Sequence, residues 1–137
     1  MTSTVIYNND LRTTCTHIKS GSFFETDAPV DNNGKGEKFS PTDLLATSLG
    51  TCMLTVMGIK ARTMGFDLND IKVEVLKTMK ADPRRVSGID LTFHIPDALQ
   101  SIDERSKAIL KDIGENCPVM KSIHPDIEVK INWGSWG

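Results

Sequence analysis

Between Thr4 and Thr26 apolar and polar residues alternate in short runs, broken at Asn8-Asn9-Asp10 and at Lys19-Ser20-Gly21-Ser22. This pattern predicts a small antiparallel sheet. The stretch from Asp27 to Lys38 carries Pro29, Asp31, Asn32, Asn33, Gly34 and Gly36, residues that favour turns, and predicts a loop. At Ser40-Pro41-Thr42-Asp43 a hydroxyl stands at the N-cap position, proline at the first helical position and a carboxylate at N3, so a helix should start here. It can run to Met64, with Gly65 as its stop. Along it Leu45, Leu49, Cys52, Val56 and Ile59 recur at helical spacing, and Leu44, Met53, Leu54 and Met57 widen the apolar surface well beyond one stripe.

Further along, Ile71, Val73 and Val75 alternate with polar neighbours, as do Leu91, Phe93 and Ile95, which predicts two strands joined by a loop marked by Asp82, Pro83 and Gly88. Ser101 is the expected cap of a second helix reaching about Asn116 and packing through Ile102, Ala108, Ile109, Leu110 and Ile113. Ile127, Val129, Ile131 and Trp133 read as a final strand. The whole is an α+β chain, a single domain over residues 1–137, with antiparallel sheets around a long buried central helix. A sheet of this size covers one side of a helix that is apolar nearly all round. A second copy of the chain is the economical cover for the other side, so a homodimer is expected.

Charge changes the picture by exclusion. A net charge of -2 and a pI near 5.9 give no electrostatic footprint for nucleic acid and no polybasic surface for a membrane. The apolar run from Leu44 to Met57 contains Thr47, Ser48, Thr51 and Thr55 and is shorter than the roughly 20 residues of a membrane span. The opening MTSTVIYNND lacks a basic segment followed by an apolar one, so no secretory signal is read and a cytoplasmic location is expected. Small molecules or proteins are the expected partners.

The candidate chemistry lies in the thiols. Cys52 sits deep in the most apolar helix and Cys117 directly precedes Pro118; neither belongs to a Cys-x-x-Cys pair, and no cluster has zinc-ligand spacing. In a reducing compartment they are either small buried hydrophobes or a peroxide-reacting cysteine with its resolving partner. A thiol reacts as thiolate and needs an activating charge. The helix dipole fades within one turn, too soon for Cys52. Arg12, in LRTTCTHIKSG, is the preferred cation because a guanidinium stays charged when partly buried and can orient both a thiolate and a peroxide oxygen. Lys60 and Arg62 lie too far along the helix, and Arg84 and Arg85 read as solvated charge. Cys15 reads as structural, the histidines His17, His94 and His124 as polar surface, Met53, Met57 and Met64 as core, and Trp133 and Trp136 as cover for an apolar edge.

FSPTDLLATSLGTCM around Cys52 and NCPVMKSIHPDIEV around Cys117 resemble the OsmC/Ohr superfamily of osmotically inducible and organic hydroperoxide resistance proteins. The likeness extends over nearly the whole chain, and TDAPVDNNGKGEKFSP is closest to the general OsmC-like branch. The resemblance implies an intertwined homodimer with a peroxidatic Cys52, a resolving Cys117 and a catalytic arginine matched by Arg12. It implies reduction of organic hydroperoxides, with hydrogen peroxide as a further substrate, using an external dithiol reductant and no bound cofactor or metal. In the hydroperoxide reductases a glutamate follows the helix-starting proline and holds the arginine; here that position is Thr42. Asp43 comes next and reads as a helix cap before an arginine partner, because nine residues from Cys52 place it about 180° round an ideal helix. The alternative is a non-enzymatic member of the superfamily that binds a small molecule or senses redox state.

Overall fold

Strands β1 (Ser3–Tyr7), β2 (Arg12–His17) and β3 (Phe23–Asp27) form an antiparallel sheet in the computed structural model, which describes Met1–Gly137. The expected turns shape it. Asn9, Asp10 and Leu11 turn the first hairpin with φ of 65°, 52° and 62°, and Gly21 turns the second with φ of 74°, where a side chain would be strained. The second hairpin closes with the His17 N–H donating to Ser22 O at 2.8 Å, which sets Arg12 directly opposite Asp27. This sheet, the following loop and the first residues of the long helix make up one compact unit, Met1–Leu45.

The expected bounds of the long helix hold: α1 spans Pro41–Met64. Its start is a reciprocal cap, with Ser40 Oγ accepting from the Asp43 N–H at 3.0 Å and Asp43 Oδ2 accepting from the Ser40 N–H at 2.9 Å. Its end is Gly65 at φ 89°, with the Phe66 N–H returning to Ala61 O at 3.0 Å. At 24 residues it exceeds the Leu44–Met57 run, and by length and composition it could cross a membrane. Its buried residues, however, belong to a protein core.

That core lies in the second unit, Ala46–Gly137. The buried stripe of α1 is Ala46, Leu49, Gly50, Met53, Met57 and Ala61. Of the residues that recur at helical spacing, Leu49 is buried, Leu45 and Ile59 are exposed on the single chain, and Cys52 and Val56 flank the stripe half-buried. A widely apolar helix offers several adjacent faces, and the sheet selected one of them. Gly50 faces that sheet, where a Cβ would make ordinary contact at 3.4 Å from Val75 and 3.7 Å from Leu91.

Strands β4 (Lys72–Lys80), β5 (Arg85–His94) and β6 (Glu128–Asn132) form the second sheet, with β5 in the centre. Ile89, Leu91 and Phe93 point inward from β5, and a register shift at Thr78/Met79 returns Val86 to the same face. Gly88, expected in the connecting loop, lies inside β5 beside this shift. Strand β6 pairs with β5 in parallel, which corrects the expectation of wholly antiparallel sheets. The chain reaches β6 through helices, and a crossover of that kind delivers a parallel strand.

The crossover contains α2 (Glu104–Glu115) and the short α3 (Pro118–Ser122), which the residue pattern left unassigned. Asp103 caps α2, accepting from the Ser106 N–H at 2.9 Å and its hydroxyl at 2.7 Å; Ser101, the expected cap, lies in the preceding turn. Ala108, expected to pack, is exposed, whereas Lys107, Leu110 and Gly114 are buried. Gly114 lets α2 approach α1: a Cβ there would meet Met57 Sδ at 2.9 Å and Trp133 at 3.4 Å. Trp133 stacks on Phe93 with ring centroids 4.2 Å apart, closing the core.

Gly114→Leu should therefore overpack this contact and destabilise the protein by about 1–3 kcal/mol. The measurement is urea unfolding, with a lower midpoint at unchanged slope expected. An unchanged midpoint would show that the α1–α2 contact is not tight.

Candidate active site

Cys52 comes one residue before the fully buried Met53, so its sulfur sits at the margin of the core. Cys117 follows the C-terminal end of α2, and its N–H donates to Gly114 O at 3.2 Å. Because Gly114 is pressed on Met57, the end of α2 is carried onto α1, and Cys52 lies near enough to Cys117 to influence its thiol. Both are free thiols. Cys117 is fully buried and Cys52 is half-buried.

Cys117 is also the N-cap of α3, with Pro118 at the first helical position and Cys117 Sγ accepting from the Met120 N–H at 3.4 Å. Burial pushes its thiol above the ordinary cysteine value. The Met120 N–H offsets this in part, and the neighbouring Cys52 raises the thiol further. Cys117 thus keeps its proton next to a more accessible sulfur.

Arg12 lies in the first unit, in a clamp of carboxylates. Its Nε donates to Asp27 Oδ1 at 2.7 Å and its Nη2 to Asp27 Oδ2 at 2.9 Å and Glu37 Oε2 at 3.2 Å. Asp27 is buried, and it also accepts from the Glu37 N–H at 3.2 Å. The hydrogen bond from Arg12 holds the Asp27 carboxyl below its usual range, and Asp27 in turn raises Arg12 above its own. Asp27 and Glu37 were not among the residues singled out by sequence. For Asp27 the signal was available in the hairpin, since a turn at Lys19–Ser22 pairs Arg12 with an acid across the strands. Glu37 sits in a turn-rich loop that offered none.

The remaining candidates have local roles. Asp43 carries the reciprocal cap of α1, and the Ser40 and Thr42 hydroxyls lie 3.2 Å apart. Cys15 is half-buried, 3.9 Å from the Thr13 hydroxyl. His17 pairs with Ser20, His94 with Glu74, and His124 Nδ1 accepts from the Asp126 N–H. The Trp133 and Trp136 indoles donate to Glu115 and Leu99 O. No group of three or more His, Cys, Asp or Glu residues converges to hold a metal ion.

Residues 34–132 match the family described as OsmC-like protein. A crystal structure from Psychrobacter arcticus 273-4, of a protein provisionally described as osmotic stress induced and of the detoxification response, is 52% identical. It matches with a TM-score of 0.90 over 96% of this chain and 94% of that one. An organic hydroperoxide resistance protein OsmC from Legionella pneumophila is 17% identical, with a TM-score of 0.71 over 95% and 93% of the chains. One from Elizabethkingia anophelis is 15% identical, with a TM-score of 0.70 over 95% and 91%. At these identities the last two establish shared fold alone. No curated protein matches significantly.

Two outcomes follow from the geometry. Iodoacetamide near pH 8 should alkylate Cys52 well before Cys117 in the native protein, read by mass spectrometry; equal rates would contradict the burial and the raised thiol of Cys117. Because Asp27 ionises more readily folded than unfolded, it adds stability above the unfolded carboxylate pKa of about 4, lost as pH falls through its lower folded value. Thermal unfolding of wild type and Asp27→Asn should therefore differ most near neutrality and converge in acid. A gap that widened in acid would reverse that sign.

Proposed function

This chain belongs to the OsmC-like protein family, and from that premise we propose that it is a thiol-dependent peroxidase that reduces organic hydroperoxides and, as a further substrate, hydrogen peroxide. The observation that carries the reading is the nearness of the Cys52 and Cys117 thiols, neighbours across 65 positions of sequence. Two neighbouring cysteines at the edge of a core, one accessible and one buried, suit a cycle that uses a sulfenic acid and resolves it.

In that cycle the Cys52 thiolate attacks the distal peroxide oxygen. The O–O bond breaks, the alkoxide takes up a proton to leave as alcohol, and Cys52 becomes a sulfenic acid. The sulfur of Cys117 then attacks the sulfenic sulfur, the S–S bond forms, and the hydroxyl leaves as water with the proton Cys117 had retained. An external dithiol reduces the disulfide by exchange and is itself oxidised. Arg12 supplies the cation that favours the thiolate and orients the peroxide oxygen. No bound cofactor takes part. The protein works as a cytoplasmic homodimer in the defence against oxidative or osmotic stress.

Thr42 favours a second reading, a small-molecule-binding or redox-sensing protein, because it stands where the family's hydroperoxide reductases are expected to carry glutamate. The two readings part at turnover. A peroxidase consumes many equivalents of peroxide per site, and a sensor only one.

Reduced protein given cumene hydroperoxide or hydrogen peroxide with excess dithiol should turn over repeatedly through a Cys52–Cys117 disulfide, seen by mass spectrometry. Cys52→Ser should reduce consumption to background. Undiminished turnover in that variant would refute the assignment, and stoichiometric oxidation of wild type would establish the sensor instead. Light scattering at micromolar concentration should give twice the 15.1 kDa chain mass; a monomer would refute the dimer.

A further inference from the structure

Helix α2 ends on Glu115, two residues before Cys117. A carboxylate is out of place there, because the C-terminal end of a helix favours cations, and the last turn of α2 has no basic residue to balance it. What engages it is an indole. Trp133, the residue after β6, donates from Nε1 to Glu115 Oε1 at 3.0 Å. A residue set against its local preference, and bonded to a partner far along the chain, marks a place where the tertiary structure makes use of it.

The indole is itself held fast. Trp133 is 8% exposed, stacks on the buried Phe93, and lies so near Gly114 that a Cβ there would come within 3.4 Å of the ring. Gly114 O in turn accepts from the Cys117 N–H at 3.2 Å. The turn from Gly114 to Cys117 is therefore fixed from the end of β6 at two successive residues, by packing at Gly114 and by a hydrogen bond at Glu115. We infer that Trp133 is the positioning residue for Cys117: anchored in the core of the second unit, it pins the last turn of α2 and keeps Cys117 beside Cys52 for closure of the disulfide. Its bond to Glu115 serves that closure and not the first attack, which Cys52 makes from α1. The inference rests on the reading of Cys117 as the resolving thiol.

Closure can be followed without peroxide, on the reduced full chain carrying Cys15→Ser and given one equivalent of a nitrobenzoate disulfide. The Cys52 thiolate attacks one reagent sulfur, the reagent S–S bond breaks and a first coloured thiolate leaves. Cys117 then gives up its proton and attacks the Cys52 sulfur of the mixed disulfide, so that the Cys52–Cys117 bond forms and a second coloured thiolate leaves. The first step depends on reagent concentration and the second does not. Trp133→Phe keeps a ring on Phe93 and removes the donor, and Glu115→Ala removes the acceptor; each should slow the second step by about tenfold and leave the first within about twofold of wild type, as loss of orientation does. Glu115→Gln keeps an acceptor oxygen and should close within about threefold of wild type. The variant carrying both Trp133→Phe and Glu115→Ala should be no slower than the slower single one, since both remove the same bond.

An unchanged second step in either single variant, equal slowing of both steps, additive slowing in the double variant, or no rescue by Glu115→Gln overturns the inference. Glu115 is exposed, so its variants carry the test if Trp133→Phe fails to fold by circular dichroism. A wild type that releases only one thiolate overturns both the inference and the resolving role of Cys117. A wild type that closes the disulfide but consumes no peroxide removes the peroxidase reading and leaves the positioning role of Trp133 to stand on the closure rates.

Discussion

The close packing of α1 in the second unit is the contact on which the thiol pair depends. Gly50 packs against the sheet at ordinary contact distance, and Gly114 admits α2 closely against Met57 further along the stripe. Interiors are packed near crystal density, so a side chain added at Gly114, where a Cβ would lie 2.9 Å from Met57 Sδ, forces its neighbours to shift. Here a displaced α2 carries Cys117 with it, because the Cys117 N–H is tied to Gly114 O. The nearness of Cys117 to Cys52 thus follows from how little side chain lies between two helices.

Burial distinguishes the two thiols. Burial outweighs the Met120 N–H that would favour a Cys117 thiolate, so Cys117 retains its proton beside the more accessible Cys52. The neighbouring Cys52 pushes the Cys117 thiol in the same upward direction as burial does. In the first unit the same rule acts with opposite sign. Asp27 is buried as an anion because Arg12 is bonded to both its oxygens, and each member holds the other in its charged form.

Much of this architecture was legible where the signal is local. The turn at Lys19–Ser22, the Ser40 to Asp43 cap and the Gly65 stop each rest on a few neighbouring residues, and the observed elements follow them closely. Legibility failed where a local choice was degenerate. Ser101 and Asp103 are both credible caps, and the one whose oxygens meet Ser106 prevailed. Gly88 reads as a turn residue until the register shift absorbs it into β5. On α1 several overlapping apolar stripes were available. The choice of the one through Met53 and Met57 left Cys52 on the flank, half-buried and next to its partner.

The sequence by itself determined the types of the elements other than α3, the limits of α1 and the identity of the two thiols and the arginine as candidates. It did so because periodicity, capping and turn chemistry are properties of short segments. Only the tertiary structure decided that β6 runs parallel to β5, that Cys117 lies near Cys52, and that Asp27 and Glu37 hold Arg12. Each of these joins residues far apart in the chain, through burial and packing that no short segment encodes alone.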